Sequence, residues 1–376
     1  MLVQRMDIWR LRLPFHYPFK HKLATHAASE NLVVKITSGS GAGGYGEGVP
    51  RPFVTGEAME DSLSFLTDRL GPRLVGRNFP SPEGLLEELT WVFQDTGAEP
   101  FPAARCALEM ALLDAAGQHW QKPVSDLLGG AVQEQVCYSA VVPLVPVSQL
   151  PRFLKLVQAQ RMRFLKLKVG GDQDLEALDL VRRELGWQID LRVDANGAWT
   201  AEEAVERLAA MLPYGVSAVE QPVAKDDLAG LKQVSQTLEI PVIADESLCR
   251  EADAWKLIEM GACRMFNIRL SKCGGLSAAL RIRNLAEEAG MACQLGCHVG
   301  ETSILAAAGR HFALCSPSLA YVEGSFAPYL LRTDPVETPV GFQEEGLGLP
   351  LPGPGLGIMV REEMLTELAV SHARLS

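Results

Sequence analysis

The sequence predicts an α/β fold: a parallel β/α barrel of the TIM type behind a smaller N-terminal α+β unit. Three observations carry this. From Tyr138 onward, short apolar runs alternate with amphipathic helical segments at a nearly constant interval. Before that point strands come first and helices afterwards, the order of an α+β unit rather than of repeated β/α pairs. At 376 residues the chain is also too long for one small domain, and it suits one of roughly 250 residues beside a smaller one.

In the first part, residues 1–135, Leu2 to Leu13 and Asn31 to Thr37 read as strands. Gly43-Gly44-Tyr45-Gly46-Glu47-Gly48 continues or separates them as a glycine-rich strand or turn. Helical stretches follow, the clearest from Ala103 to Trp120, where Leu108, Ala111, Leu112 and Ala115 recur at helical spacing.

The second part, residues 136–325, holds eight apolar runs. The first four are Tyr138–Val142, Phe164–Lys168, Ile189–Asp194 and Val216–Glu220. Ile240–Asp245, Met265–Leu270, Ala292–Leu295 and Leu319–Glu323 complete the series. The segments between them carry helix signals: Thr200-Ala201-Glu202-Glu203 has capping-box spacing, and Leu228, Leu231, Val234 and Leu238 make one face. A doubly wound sheet would use fewer strands per length, so a barrel is the expectation. Residues 326–376 form a C-terminal segment.

Bulk properties exclude more than they select. The formal charge of −11 argues against a nucleic-acid partner, because phosphate binding wants clustered Lys and Arg. No apolar stretch is long enough to span a membrane. Met1-Leu2-Val3-Gln4-Arg5-Met6-Asp7 has none of the marks of a secretion signal. The eight cysteines are scattered through apolar surroundings, as reduced thiols in a cytoplasm would be. A cytoplasmic homo-oligomer is expected.

The chemistry is expected at the C-terminal ends of the strands, where barrel sites lie. Lys168, Asp194, Glu220, Asp245 and Lys272 fall there at intervals of 26, 26, 25 and 27 residues. Three carboxylates at one point repel one another unless a cation sits between them, and all-oxygen ligation suits Mg²⁺. Such an ion would stabilise the charge that develops when a C–H beside a bound carboxylate loses its proton. Lys166 and Lys168, two apart on a strand, point the same way, and each is expected to lower the other's pKa. Lys272 is expected to approach from the opposite side of the barrel. Bases on both faces of one carbon would allow racemisation, epimerisation, β-elimination or cycloisomerisation through one enolate.

Phe164-Leu165-Lys166-Leu167-Lys168, Val193-Asp194-Ala195-Asn196-Gly197, Glu220-Gln221-Pro222, Ala244-Asp245-Glu246-Ser247 and Lys272-Cys273-Gly274-Gly275-Leu276 together resemble the enolase superfamily. More narrowly they resemble its muconate-lactonizing-enzyme subgroup, which includes cycloisomerases and dipeptide epimerases. Pro14-Phe15, Gly44 to Gly48, Ala104 to Glu109 and Leu127 to Gly130 extend the resemblance over nearly the whole chain. It implies an α+β cap over a (β/α)₇β barrel, with the C-terminal tail returning to the cap. It also implies Asp194, Glu220 and Asp245 as Mg²⁺ ligands, Lys168 and Lys272 as the acid/base pair, and Lys166 and Asn196 in support. The expected activity is that of a racemase, epimerase or cycloisomerase acting on a small-molecule carboxylate, with a dehydratase as the alternative.

Some residues depart from the subgroup or extend it. Dipeptide epimerases resemble one another in an Asp-x-Asp at strand eight, which pairs with the substrate ammonium; here Glu323-Gly324-Ser325 leaves one carboxylate of the two. That weakens a dipeptide as substrate, and a substrate with one modest cationic group, such as a cyclic or N-modified amino acid, suits the site as well. His298, at the end of strand seven, has no Asp partner on strand six and reads as pocket-lining or structural. Glu246, Glu301, Glu323 and Ser325 are further candidates for substrate contact or support, and His21, Lys22 and His26 for closing over an anionic end.

Other readings weaken on inspection. Gly39-Ser40-Gly41-Ala42-Gly43-Gly44 matches a dinucleotide pattern but has no helix after it to receive a pyrophosphate. Cys293, Cys297 and His298 lack a fourth zinc ligand, and no Gly-x-Ser-x-Gly elbow occurs. A metal-binding barrel without catalysis would need no lysines on two faces.

Overall fold

The computed structural model describes residues 1–21 and 24–376, with the backbone alone over 18–21 and 24–26. The N-terminal strands, Val3–His21 and Ala24–Ser38, pair antiparallel and run well past the expected ends at Leu13 and Asn31. Gly43–Gly48 pairs on their far side as a third strand. Its glycines alternate because one face lies directly on the helix Pro102–Trp120. A Cβ on Gly44 would stand 2.0 Å from the Ala115 nitrogen, one on Gly46 2.0 Å from the Ala107 carbonyl, and one on Gly48 2.1 Å from the Ala103 carbonyl. Strand period two thus meets a helix with alanine at every fourth position. The glycine run is a packing surface and not a phosphate cradle.

Ala369–Leu375 pairs antiparallel with the first strand, so the chain's two ends share one sheet of four strands. Buried Asp7 ties this strand down, accepting from Arg374 Nε at 2.6 Å and contacting His372 Nε2 at 3.1 Å.

Among the described residues, eight parallel strands follow one another in chain order around a second sheet. They are Ala140–Val142, Phe164–Lys168, Asp190–Asp194 and Val216–Glu220, then Val242–Ala244, Met265–Ile268, Ala292–Leu295 and Leu319–Val322. They are called barrel strands one to eight. Crossover helices join them: Leu150–Ala159, Asp174–Leu185, Ala201–Met211, Leu228–Thr237, Glu251–Met260, Leu276–Glu288 and Ser303–Leu314. A parallel bridge between Tyr138 and Val322 closes the circle, with Ser139 N–H donating to Val322 O at 2.7 Å. The architecture is (β/α)₇β.

Strands two, four and seven match their expected spans to the residue. Strand six does not: it stops at Ile268, because Leu270–Cys273 already forms a helical turn. The Thr200 capping box is present, with Glu203 N–H donating to Thr200 Oγ1 at 3.3 Å and Thr200 N–H to Glu203 Oε2 at 3.0 Å.

Buried glutamates dock the N-terminal part on the barrel by capping barrel helices. Glu47 accepts from Thr302 N–H at 2.9 Å, Thr302 Oγ1 at 2.7 Å and Leu305 N–H at 3.0 Å, at the start of helix Ser303–Leu314. Glu109 accepts from Ser277 N–H at 3.1 Å, at the start of Leu276–Glu288. A carboxylate at a helix N-terminus satisfies free N–H groups and complements the dipole. Among the described residues, no helix is long and apolar enough to cross a membrane, and the eight cysteines are free thiols.

Candidate active site at the barrel mouth

Alternation along each strand stacks the inward side chains into layers. The lowest layer is largely apolar, with Phe164, Ala218, Ile243, Met265, Ala292 and Tyr321 together. The middle layer is charged and polar: Lys166, Arg192, Glu220, Asn267 and Gln294, with Glu323 just past strand eight. Lys168, Asp194, Asp245 and Arg269 stand at the mouth.

The expected ligand carboxylates Asp194, Glu220 and Asp245 are all fully buried, on three successive strands. Asp194 and Glu220 are register partners, and Asp194 is also the partner of Lys168. Cations converge on all three. Lys168 Nζ lies 2.5 Å from Asp194 Oδ2, and Lys166 Nζ lies 3.3 Å from Asp194 Oδ2 and 3.1 Å from Glu220 Oε1. Arg269 pairs with Asp245 and lies 3.7 Å from Glu220 Oε1. Among the described residues no three acidic, His or Cys side chains stand at metal-holding geometry. The donor set still fits a hard divalent cation: three buried carboxylates at one rim, each already paired with positive charge.

Burial pushes the Asp194 carboxyl up, and the nearby Glu220 charge adds to this. Glu220 is also buried, yet Lys166, Lys168 and Arg269 hold it well below the ordinary range. The expected mutual lowering of the two lysines is not seen at Lys166. Burial lowers its pKa, but Glu220, Glu323 and Asp194 more than offset that, so it is raised. Lys166 is a locked cation.

Lys168 is more open, with 18% of its side chain exposed, and its Nζ also donates to Asn196 Oδ1 at 2.6 Å. Asn196 adopts φ 45°, in the left-handed region that Asn tolerates. Its amide donates to Glu246 Oε1 at 3.1 Å, and its backbone N–H to Asp194 Oδ1 at 2.9 Å. Glu246 is pushed up to about 7 by burial and by the Asp245 charge. Lys168, Asp194, Asn196 and Glu246 therefore form one connected group.

Lys272, just past strand six, reaches the Asp245 carboxylate. Its side chain is fully buried, and Nζ donates to Asp245 O at 2.6 Å, Asp245 Oδ1 at 2.8 Å and Asn267 O at 3.0 Å. It sits in the helical turn after strand six, out of the inward alternation. Arg269 is the residue that continues that alternation, two after Asn267.

Glu323 faces inward below the mouth. Oε1 accepts from Lys166 at 2.8 Å and from Arg192 at 2.5 Å, and Arg192 lies over the Tyr321 ring at 4.3 Å. Ser325 is buried with φ 58°. His298 is buried and held well below its ordinary pKa, by burial and then by the charges of Arg269, Arg51 and Lys272. Glu301 accepts from the His298 backbone N–H at 3.0 Å, and burial pushes it well up. The side chains of His21 and His26, and the whole of Lys22, lie outside the described residues. Sequence reasoning missed Arg192 and Arg269; the inward alternation of strands three and six is the signal that marks them.

Two family models cover most of the chain: the mandelate racemase / muconate lactonizing enzyme N-terminal domain over residues 5–129, and the enolase C-terminal domain-like family over 150–364. An L-Ala-D/L-Glu epimerase of Bacillus subtilis is 33% identical over 96% of this chain and 97% of its own. The crystal structure of an N-succinyl Arg/Lys racemase from Bacillus cereus superposes with a TM-score of 0.92 at 28% identity, covering all of both chains. A dipeptide epimerase from Enterococcus faecalis, complexed with Mg and the dipeptide L-Leu-L-Tyr, gives 0.87 at 31% identity, over 95% of this chain and 99% of that one. The chain belongs to the enolase superfamily, in its muconate-lactonizing-enzyme subgroup, and is an isomerase.

Proposed function

We propose that this isomerase removes the proton α to a carboxylate, with Lys168 and Lys272 as the acid/base pair and Asp194, Glu220 and Asp245 as ligands of a Mg²⁺ ion. The observation that carries the reading is the convergence of three fully buried carboxylates with Lys168 at one rim of the barrel. Bound there, Mg²⁺ would neutralise the carboxylates and stabilise the negative charge of an enolate. The chain's own groups do the rest. Asn196 and Asp194 aim the Lys168 ammonium, while Lys166 stays charged and fixes Glu220 and Asp194. Residues 1–135 act as the cap, 136–325 as the catalytic barrel, and 326–376 as the segment that returns to the cap.

Glu323 bears on the substrate. A carboxylate already shared by Lys166 and Arg192 is poorly free to receive a substrate ammonium. This supports a carboxylate substrate without a free ammonium near strand eight, such as an N-acylated or cyclic amino-acid derivative. Proton NMR in D₂O with Mg²⁺ tests the reading on three classes: dipeptides, N-succinyl amino acids and unsaturated or cyclic carboxylic acids. Loss of an α-proton signal in one of the latter two is expected. Exchange confined to dipeptides would overturn the substrate reading, and no exchange in any class would overturn the proton abstraction.

A further inference from the structure

We propose that the N-terminal part of the chain positions Lys272, and that Ser271 and Glu109 are the residues through which it does so. This rests on the reading of Lys168 and Lys272 as an acid/base pair. Lys272 lies on a single helical turn, Leu270–Cys273, and a helix of one turn has no stability of its own. The turn is held on both sides from the N-terminal part. Next to Lys272, the Val49 N–H donates to Ser271 Oγ at 2.8 Å, and both residues are buried. Beyond it, buried Glu109 accepts from the Ser277 N–H at 3.1 Å and from the Ser277 hydroxyl. Between these contacts the chain passes through Gly274 at φ 90° and Gly275 at φ 106°. Only glycine fits there. A Cβ on Gly275 would stand 2.1 Å from Glu109 Oε2, and one on Gly274 3.2 Å from Arg105 Cζ.

The two holding points belong to one packed piece. Arg105 and Glu109 lie one turn apart on a single face of the helix Pro102–Trp120. Val49 directly follows the glycine strand Gly43–Gly48, which lies backbone to backbone on that same helix. Lys168 has no such tie, because it sits within strand two, whose ladder partners are barrel strands one and three. The barrel places one lysine, and the N-terminal part places the other. A shift of the turn is carried to the Lys272 side chain, and misplacing a reacting group by ~1 Å can cost about 10²-fold in rate. The same shift leaves Lys168 where it is. Ser271 and Glu109 are therefore positioning residues for proton transfer on the Lys272 face alone.

The test is α-proton exchange in D₂O with Mg²⁺, followed by proton NMR on both antipodes of N-succinylarginine and both α-epimers of alanylglutamate. Lys272→Ala identifies the member of a pair whose proton faces Lys272, since its exchange is lost. In Ser271→Ala and in Glu109→Ala that member is expected to exchange at least about tenfold more slowly than in wild type, and the other within about threefold. Ser271→Thr, which keeps the hydroxyl, should restore most of the rate. Ser271→Ala removes a single oxygen and keeps the test open where Glu109→Ala fails to fold. Main-chain amide hydrogen exchange, read by mass spectrometry, needs no substrate: residues 270–277 should exchange faster in the variants, and residues 164–168 at the wild-type rate. Equal loss on both faces, or loss on neither, overturns the inference, as does unchanged amide exchange over 270–277. Absence of α-proton exchange in every member, wild type included, overturns the acid/base reading instead, and amide exchange then decides the clasp alone.

Discussion

The Lys166 ammonium lies 2.8 Å from Glu323 Oε1, and both side chains are almost wholly buried. The pair joins strand two to the end of strand eight below the barrel mouth, with Arg192 as a third member. Buried ion pairs contribute little net energy when complete, but losing one partner strands the other charge.

Glu323→Gln should therefore act on the whole fold. It leaves Lys166 and Arg192 short of a counter-charge, and the expected loss is about 3 kcal/mol. Urea unfolding checks this, together with a fall in kcat as Lys166 loses its anchor. A raised KM with unchanged stability would instead make Glu323 a substrate contact.

Gly46→Ala should be among the most damaging single-methyl changes in the chain. The added Cβ would meet the Ala107 carbonyl at 2.0 Å, backbone against backbone, so strand and helix must separate. Overpacking at a backbone contact costs about 3 kcal/mol or more. Gly84→Ala, where a Cβ meets nothing within 4 Å, is the control. Thermal melts of the two variants should differ by several degrees.

Stability should also fall in mild acid through His311. Its Nδ1 accepts from Ser125 N–H at 3.2 Å, and Nε2 lies 3.2 Å from Leu356 O, so the neutral ring joins the last crossover helix to two other segments. Burial lowers its pKa from 6.5 to about 4. Between those values the unfolded chain holds the extra proton, so stability rises with pH there. The contribution is complete above pH 6.5 and lost as pH falls to about 4, about 3 kcal/mol in all. His311→Asn should flatten this part of the profile in urea melts at pH 7.5 and 4.5. An unchanged slope would contradict the assignment.

The eight barrel strands and the carboxylate rim were legible in the sequence because alternation and a fixed repeat are local signals. Phe164–Lys168 and Val216–Glu220 show this, being bounded by turns that fix both ends. Strand six was expected to run to Leu270 and stops at Ile268, which hid Arg269 as a residue of the mouth. Arg269 lies 24 residues after Asp245 and Lys272 lies 27, and both reach the Asp245 carboxylate, Arg269 from the strand's inward alternation and Lys272 from the turn after it. Glu47 and Glu109 were opaque for a different reason: each caps a helix more than 150 residues away, which no local pattern reveals.

The central claim is that Lys168 removes the α-proton of a carboxylate held at Asp194, Glu220 and Asp245. Deuterium wash-in from D₂O, measured alongside Mg²⁺ affinity in Lys168→Ala, tests it most directly. The account predicts that exchange on the Lys168 face falls by at least 10³-fold, in the upper range of general-base contributions, while Mg²⁺ binding stays within a few-fold of wild type. Wash-in that persists at the wild-type rate on that face in Lys168→Ala would contradict it.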